Sequence, residues 1–190
     1  VLTSNYKILA AMKIGVIGAG VMGRGIAQVS AMAGHNVVLF DINHDVLESA
    51  KTAVTKNLNK AIELGKLTED GKNATEGNLQ YSNSIADVRV DLVIEAIVER
   101  LDVKAKVLAD LAEINGKNTI YASNTSSIPL TQIAANFVYP KQVVGIHYFN
   151  PAHIMKLVEV ISAEQTDPKV VETALEYVKS VNKTCVVAKD

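Results

Sequence analysis

Six residues, Gly18-Ala19-Gly20-Val21-Met22-Gly23, constrain this chain more than any other stretch. They spell G-x-G-x-x-G and stand directly after the apolar run Lys13–Ile17 and directly before a segment of helical period, Met22–Ala33. In that context the first glycine permits a tight turn and the second lets backbone approach a pyrophosphate. The third lets helix pack closely on strand, with the phosphates over the helix N-terminus. Gly18, Gly20, Val21, Met22 and Gly23 are therefore candidate contacts to a dinucleotide. The next apolar run, Asn36–Asp41, ends in an acidic residue eighteen positions beyond Gly23, where a ribose diol would be held. A carboxylate at Asp41 repels a 2′-phosphate, and Ile42-Asn43-His44 offers no arginine to bind one. The expected cofactor is NAD.

Short β-branched runs alternate with longer helical segments along the rest of the chain. Asp45–Leu64 carries apolar residues at Val46, Leu47, Ala50, Ala53, Val54, Leu58, Ala61 and Ile62, the spacing of a half-exposed helix. Residues 65–78 are polar and glycine-punctuated and are read as a mobile loop with room for a helical turn. Strands follow at Leu79–Tyr81, Leu92–Ala96, Thr119–Ala122, Val143–His147, Leu157–Ile161 and Thr184–Ala188. Helices follow at 101–114, after Pro129, and at 168–180. This rhythm predicts an α/β fold, a Rossmann-type doubly wound, mostly parallel sheet with helices on both faces. Residues 1–12 precede the first strand and are read as a tag or leader, leaving 13–190 as one domain.

Composition narrows the function. Nineteen Lys+Arg against twenty Asp+Glu give a net charge of −1, so no polycationic surface for nucleic acid is expected. No apolar run is long enough to cross a bilayer, and no apolar export leader opens the chain, which predicts a soluble cytoplasmic protein. Cys185 has no second cysteine to pair with and is read as a small buried hydrophobe. His35, His44 and His153 lack metal-ligand spacing and are read as surface residues; no metal is expected.

A fingerprint binds a cofactor without saying which carbon gives up a hydride. Here the informative stretch is Gly145–Ile161, which places His147 at a strand end, Phe149-Asn150-Pro151 after it, and Glu159 among apolar neighbours on the next strand. Oxidising a secondary alcohol needs a base for the hydroxyl proton, and histidine titrates near the working pH. A carboxylate behind the ring would fix its tautomer and stabilise the imidazolium. His147 and Glu159 suit these roles if neighbouring strands bring them together. Spacing alone also allows a structural histidine and a solvent-facing glutamate.

Taken together, these motifs resemble the 3-hydroxyacyl-CoA dehydrogenase family. The resemblance rests on Gly18 to Gln28, Glu95-Ala96-Ile97-Val98-Glu99, Ala122-Ser123-Asn124-Thr125-Ser126-Ser127, His147-Tyr148-Phe149-Asn150-Pro151 and Met155–Ile161, in the family's order. It implies reversible, NAD-linked oxidation of a (3S)-3-hydroxyacyl-CoA to the 3-ketoacyl-CoA, as in fatty acid β-oxidation or butanoate-type metabolism. By the same resemblance His147 is the catalytic base, Glu159 its orienting partner, and Ser126 a hydrogen-bonding residue beside substrate and nicotinamide. Glu99, Lys104 and Asn150 are cofactor contacts. Ser126 also reads as a helix cap before Pro129, and Lys104 as a solvated helix residue. Two other readings stay open at this point. One is a Rossmann dehydrogenase of small hydroxy or sugar acids, and the other a non-catalytic dinucleotide-binding structural protein.

The sequence departs from the family pattern in two places. On the long second helix, where the family presents Ser and Lys to CoA, this chain has Asn57 and Leu64, so Asn57 and Lys60 are the candidate substrate contacts, with Lys56 and Lys66 nearby. The family's C-terminal helical domain, which carries most of the dimer contact, has no counterpart in these 190 residues. The expectation is an NAD-binding domain that turns over poorly alone and dimerises through that domain or a separate helical partner chain.

Overall fold

The computed structural model describes residues 10–190; the reading of residues 1–12 as a leader falls largely outside the described residues. Strand β1 (Lys13–Ile17) leads into helix α1 (Val21–Met32), β2 (Asn36–Phe40), α2 (His44–Glu63), α3 (Glu69–Gly77) and β3 (Leu79–Ser82). The second half runs β4 (Leu92–Glu95), α4 (Leu101–Asn115), β5 (Ile120–Ser123), α5 (Leu130–Ala135), β6 (Val143–Tyr148), β7 (Leu157–Ser162), α6 (Pro168–Ser180) and β8 (Thr184–Lys189).

The eight strands form one sheet in the order β3-β2-β1-β4-β5-β6-β7-β8. All neighbours are parallel except β6 and β7, which are antiparallel. The chain winds outward from β1 to β3, then returns to the other side of β1 for β4. The loops after β1 and β4 therefore diverge, and such a switch point is where open α/β sheets bind ligands.

Core residues cover both sheet faces, as expected for parallel strands with helical crossovers. On one face Ile26 and Val29 of α1, Leu47, Val54 and Leu58 of α2, and Ala174 and Val178 of α6 pack on Val16, Leu39 and Ile146. On the other, Leu108 and Leu111 of α4 and Ile133 of α5 pack on Ile17, Val93 and Tyr121. A buried hydroxyl chain ties α6 to the sheet and α1. Ser30 Oγ donates to the Ile26 carbonyl, so Tyr177 donates to Ser30 and Tyr148 donates to Tyr177, each at 2.8 Å.

Three readings of the sequence are corrected here. Residues 69–77 form a helix rather than a loop, because Thr68 Oγ1 caps the Gly71 N–H at 3.1 Å and Glu69 and Asp70 suit its first turn. His35 is buried rather than exposed, accepting from the Met12 N–H at Nδ1 (3.1 Å) and bonding Ser180 Oγ through Nε2 (2.8 Å). Cys185 is only half-buried, since β8 is an edge strand covered on one side.

Candidate active site

Gly18 is in the left-handed region at φ +98°, and a Cβ there would stand 2.8 Å from the Ala96 carbonyl oxygen. At Gly23 a Cβ would fall 1.7 Å from the Gly18 carbonyl oxygen, so close packing of α1 on the turn requires glycine. Gly20 differs: a Cβ there would meet nothing within 4 Å. Its side faces open space at the start of α1, whose first turn has neither a side-chain cap nor an acidic residue. The N–H donors of that turn are thus left for an anion, and the segment fits a dinucleotide pyrophosphate. Asp41 closes the other side, accepting from the Ala19 N–H through Oδ2 (2.8 Å) and from the Asn43 N–H through Oδ1 (2.9 Å).

At the carboxyl end of β4 a polar cluster anchors the next two loops. Glu95 is fully buried and in register with Ile17 of β1 and Ser123 of β5. Its Oε1 accepts from the Ile97 N–H (2.8 Å) and the Lys104 ammonium (2.7 Å), and its Oε2 from the Ser123 hydroxyl (2.6 Å). Lys104 is 1% exposed and also pairs with Glu99 Oε2 at 3.0 Å. The solvated-helix alternative for Lys104 is therefore overturned: α4 turns it inward onto two carboxylates.

Glu99 Oε1 in turn holds the loop after β5. It accepts from the Thr125 hydroxyl, the Ser126 N–H (3.0 Å), and the Ser127 N–H and hydroxyl (both 3.1 Å). Burial acts to raise the Glu99 carboxyl, but the Thr125 hydrogen bond, the Lys104 ammonium and the Ser126 N–H outweigh it and bring the value down to about 2. Ser126 is held by its backbone while its side chain stays exposed. It does not cap the following helix, whose N-cap is Pro129. Asn124 Oδ1 accepts from the Tyr148 N–H at 2.8 Å, tying this loop to the end of β6.

There His147 and Glu159 are direct register partners across the antiparallel β6–β7 pair, where facing side chains are close neighbours. Their neighbours Ile146, Tyr148, Val158 and Val160 point into the core on one face, which sends His147 and Glu159 to the other. His147 Nδ1 lies 2.8 Å from Glu159 Oε2. Glu159, among apolar neighbours in the sequence, keeps a third of its side chain (34%) exposed against 17% for His147. With Nδ1 engaged by a carboxylate, the ring's proton belongs there and Nε2 carries the lone pair. The Phe149 ring packs beside His147 at a centroid distance of 4.8 Å, and Asn150 is exposed just beyond.

The arm helix α2 carries Asn57 and Lys60 away from this cluster. Asn57 donates to Gln28 Oε1 of α1 (3.1 Å), and Lys60 pairs with Glu63 in solvent (2.8 Å). Glu95, Ser123, Asn124 and Thr125, which stand in the sequence motifs without an assigned role, build the site. Their signal was a glutamate closing the otherwise apolar strand Leu92-Val93-Ile94 nine residues before a lysine.

A profile of the family described as 3-hydroxyacyl-CoA dehydrogenase, NAD binding domain, matches residues 13–190. The 3-hydroxyadipyl-CoA dehydrogenase of Escherichia coli strain K12 is 43% identical over 174 residues, covering 90% of this chain and 36% of its own length. A probable 3-hydroxybutyryl-CoA dehydrogenase of Deinococcus radiodurans is 41% identical over 180 residues, covering 94% and 64%. Among solved structures, 3-hydroxybutyryl-CoA dehydrogenase from Escherichia coli K12 superposes with a TM-score of 0.92 at 42% identity, covering 95% of this chain and 39% of that one. The chain thus spans between 36% and 64% of the length of these curated relatives. No helix among the described residues is long and apolar enough to cross a membrane. Because the profile match is continuous from β1 through β8, the chain belongs to the 3-hydroxyacyl-CoA dehydrogenase family and carries its NAD-binding domain.

Proposed function

We propose that this chain supplies the NAD-binding and proton-transfer half of an enzyme that reversibly oxidises a (3S)-3-hydroxyacyl-CoA to the 3-ketoacyl-CoA. The observation that carries the reading is the His147–Glu159 pair at 2.8 Å, at the same end of the parallel strands as the nucleotide fingerprint. NAD, when bound, accepts the hydride from carbon 3. His147 Nε2 takes the proton of the 3-hydroxyl, and the Glu159 carboxylate, bonded to Nδ1–H, stabilises the resulting imidazolium. In the reverse direction the imidazolium returns that proton to the 3-keto oxygen.

Ser126 extends a hydroxyl able to donate and accept from a loop that Glu99 fixes in place. Gly18, Gly20, Val21, Met22, Gly23 and Asp41 hold the adenosine and pyrophosphate side of the cofactor. Glu99, Lys104 and Asn150 line its other half, Lys104 through Glu99. Asn57 and Lys60 meet the CoA portion, Asn57 by exchanging Gln28 for substrate. Partnership with a helical domain, as a homodimer or from a separate chain, completes the pocket, and the protein works in the cytoplasm.

The test is an NADH titration followed by acetoacetyl-CoA reduction, with and without the C-terminal helical domain of a relative. NADH binding, with turnover rising on addition of that domain, supports the reading. Binding without turnover in either condition, given a domain proven competent with its own partner, contradicts it.

A further inference from the structure

The cluster beneath the Ser126 loop is unbalanced in charge. Glu95 and Glu99 share one ammonium, that of Lys104, at 2.7 and 3.0 Å. Every group around Glu95 donates to it: an N–H, an ammonium, and a serine hydroxyl whose oxygen accepts in turn from the Thr125 N–H. Among the described residues no other cation contacts either carboxylate; Arg100 pairs instead with Asp102 in solvent. The cluster thus sets two carboxylates, the buried Glu95 and the partly exposed Glu99, against one ammonium at the carboxyl end of the strand beside β1. Lys104 alone would need one carboxylate for neutrality, and burying a second is costly.

We infer that Glu95 is a positioning and electrostatic residue that sets the domain's preference between the two oxidation states of its cofactor. The inference rests on the proposed function above. A nicotinamide ring is a cation in the oxidised form and neutral in the reduced form. A fixed negative charge under the crevice at the switch point therefore favours the oxidised form, and low-dielectric surroundings make the charge felt. Glu95 also fixes the Lys104 ammonium that pairs with Glu99, and Glu99 in turn holds the backbone of Ser126.

The test is the ratio of NADH to NAD⁺ dissociation constants, measured by NADH fluorescence and by NAD⁺ competition. It compares the full chain with Glu95→Gln, which keeps the size of the side chain and one acceptor oxygen but removes the charge. The variant should weaken NAD⁺ relative to NADH by about fivefold. Equal weakening of both nucleotides, leaving the ratio within twofold, would reduce Glu95 to a structural role and overturn the inference. If Glu95→Gln does not fold, Glu99→Gln removes the same unit of charge from a carboxylate 36% exposed and should shift the ratio in the same direction. An unchanged ratio there is equally fatal. A wild-type chain that binds neither nucleotide would instead overturn the proposed function itself.

Discussion

His147 Nδ1 and Glu159 Oε2 stand 2.8 Å apart because the two residues face each other across the single antiparallel junction of the sheet. A parallel neighbour to β6 would offset the two chains and run β7 the other way, sending its equivalent side chains to a different end of the site. The reversal at Pro151 thus puts a carboxylate and an imidazole at one end of the sheet with only eight residues between Asn150 and Glu159.

Replacing Glu159 by glutamine keeps a hydrogen-bonding group of the same size at Nδ1 but removes the charge that stabilises the imidazolium. It can also present an N–H to the ring, which reverses the tautomer. Turnover of acetoacetyl-CoA should fall by about 10²- to 10⁴-fold, while NADH binding, measured by fluorescence, stays within about twofold.

Two glycines of the fingerprint should fail in different ways. Gly23→Ala drives a Cβ into the Gly18 carbonyl oxygen, so stability in urea should drop by about 1–3 kcal/mol or more as the turn is pushed off the helix. Gly20→Ala meets nothing within the protein, so the unfolding midpoint should hardly move, yet NADH binding should weaken by at least tenfold. Matching losses of stability at both positions would contradict this division.

Glu99 gives an acid limb. Its carboxyl is near 4.5 when unfolded and about 2 when folded. The folded state thus binds fewer protons between those values, and stability rises with pH there. The contribution is fully present above about pH 4.5 and is lost as pH falls towards 2. Urea midpoints measured across that window should decline, and Glu99→Gln should flatten the decline.

His35 gives a second, milder limb. Burial lowers its value below 6.5, and its Nδ1 accepts from the Met12 N–H, so protonation would set donor against donor. Stability should therefore be complete above about pH 6.5 and fall below it until the folded value is passed. His35→Asn, which can keep an acceptor towards Met12, should remove that part of the slope in urea titrations between pH 7.5 and 5.5.

The fold was legible because its signals are local. Apolar runs of two periods, a glycine turn with Asp41 at the right remove, and the helix starts carry the architecture without any long-range contact. The His147–Glu159 pair was legible as chemistry but not as geometry, since nothing in Phe149-Asn150-Pro151 states that β7 runs antiparallel to β6. Lys104 and Glu95 were hidden for a related reason. A lysine in Asp102-Val103-Lys104 looks solvated until the fold supplies two carboxylates from β4 and its loop, and His35 likewise waits for Met12 and Ser180. Helix α3 was masked by a polar composition in which only Thr68 and the acids after it mark a helix start.

The central claim is that His147 is the base and not a structural residue. The most direct measurement is acetoacetyl-CoA reduction by wild type and His147→Gln, each saturated with NADH and supplied with the same helical domain. The account predicts a rate loss of about 10³-fold or more with the NADH dissociation constant nearly unchanged. A variant that keeps its rate within tenfold, or that loses NADH binding along with it, would contradict the account.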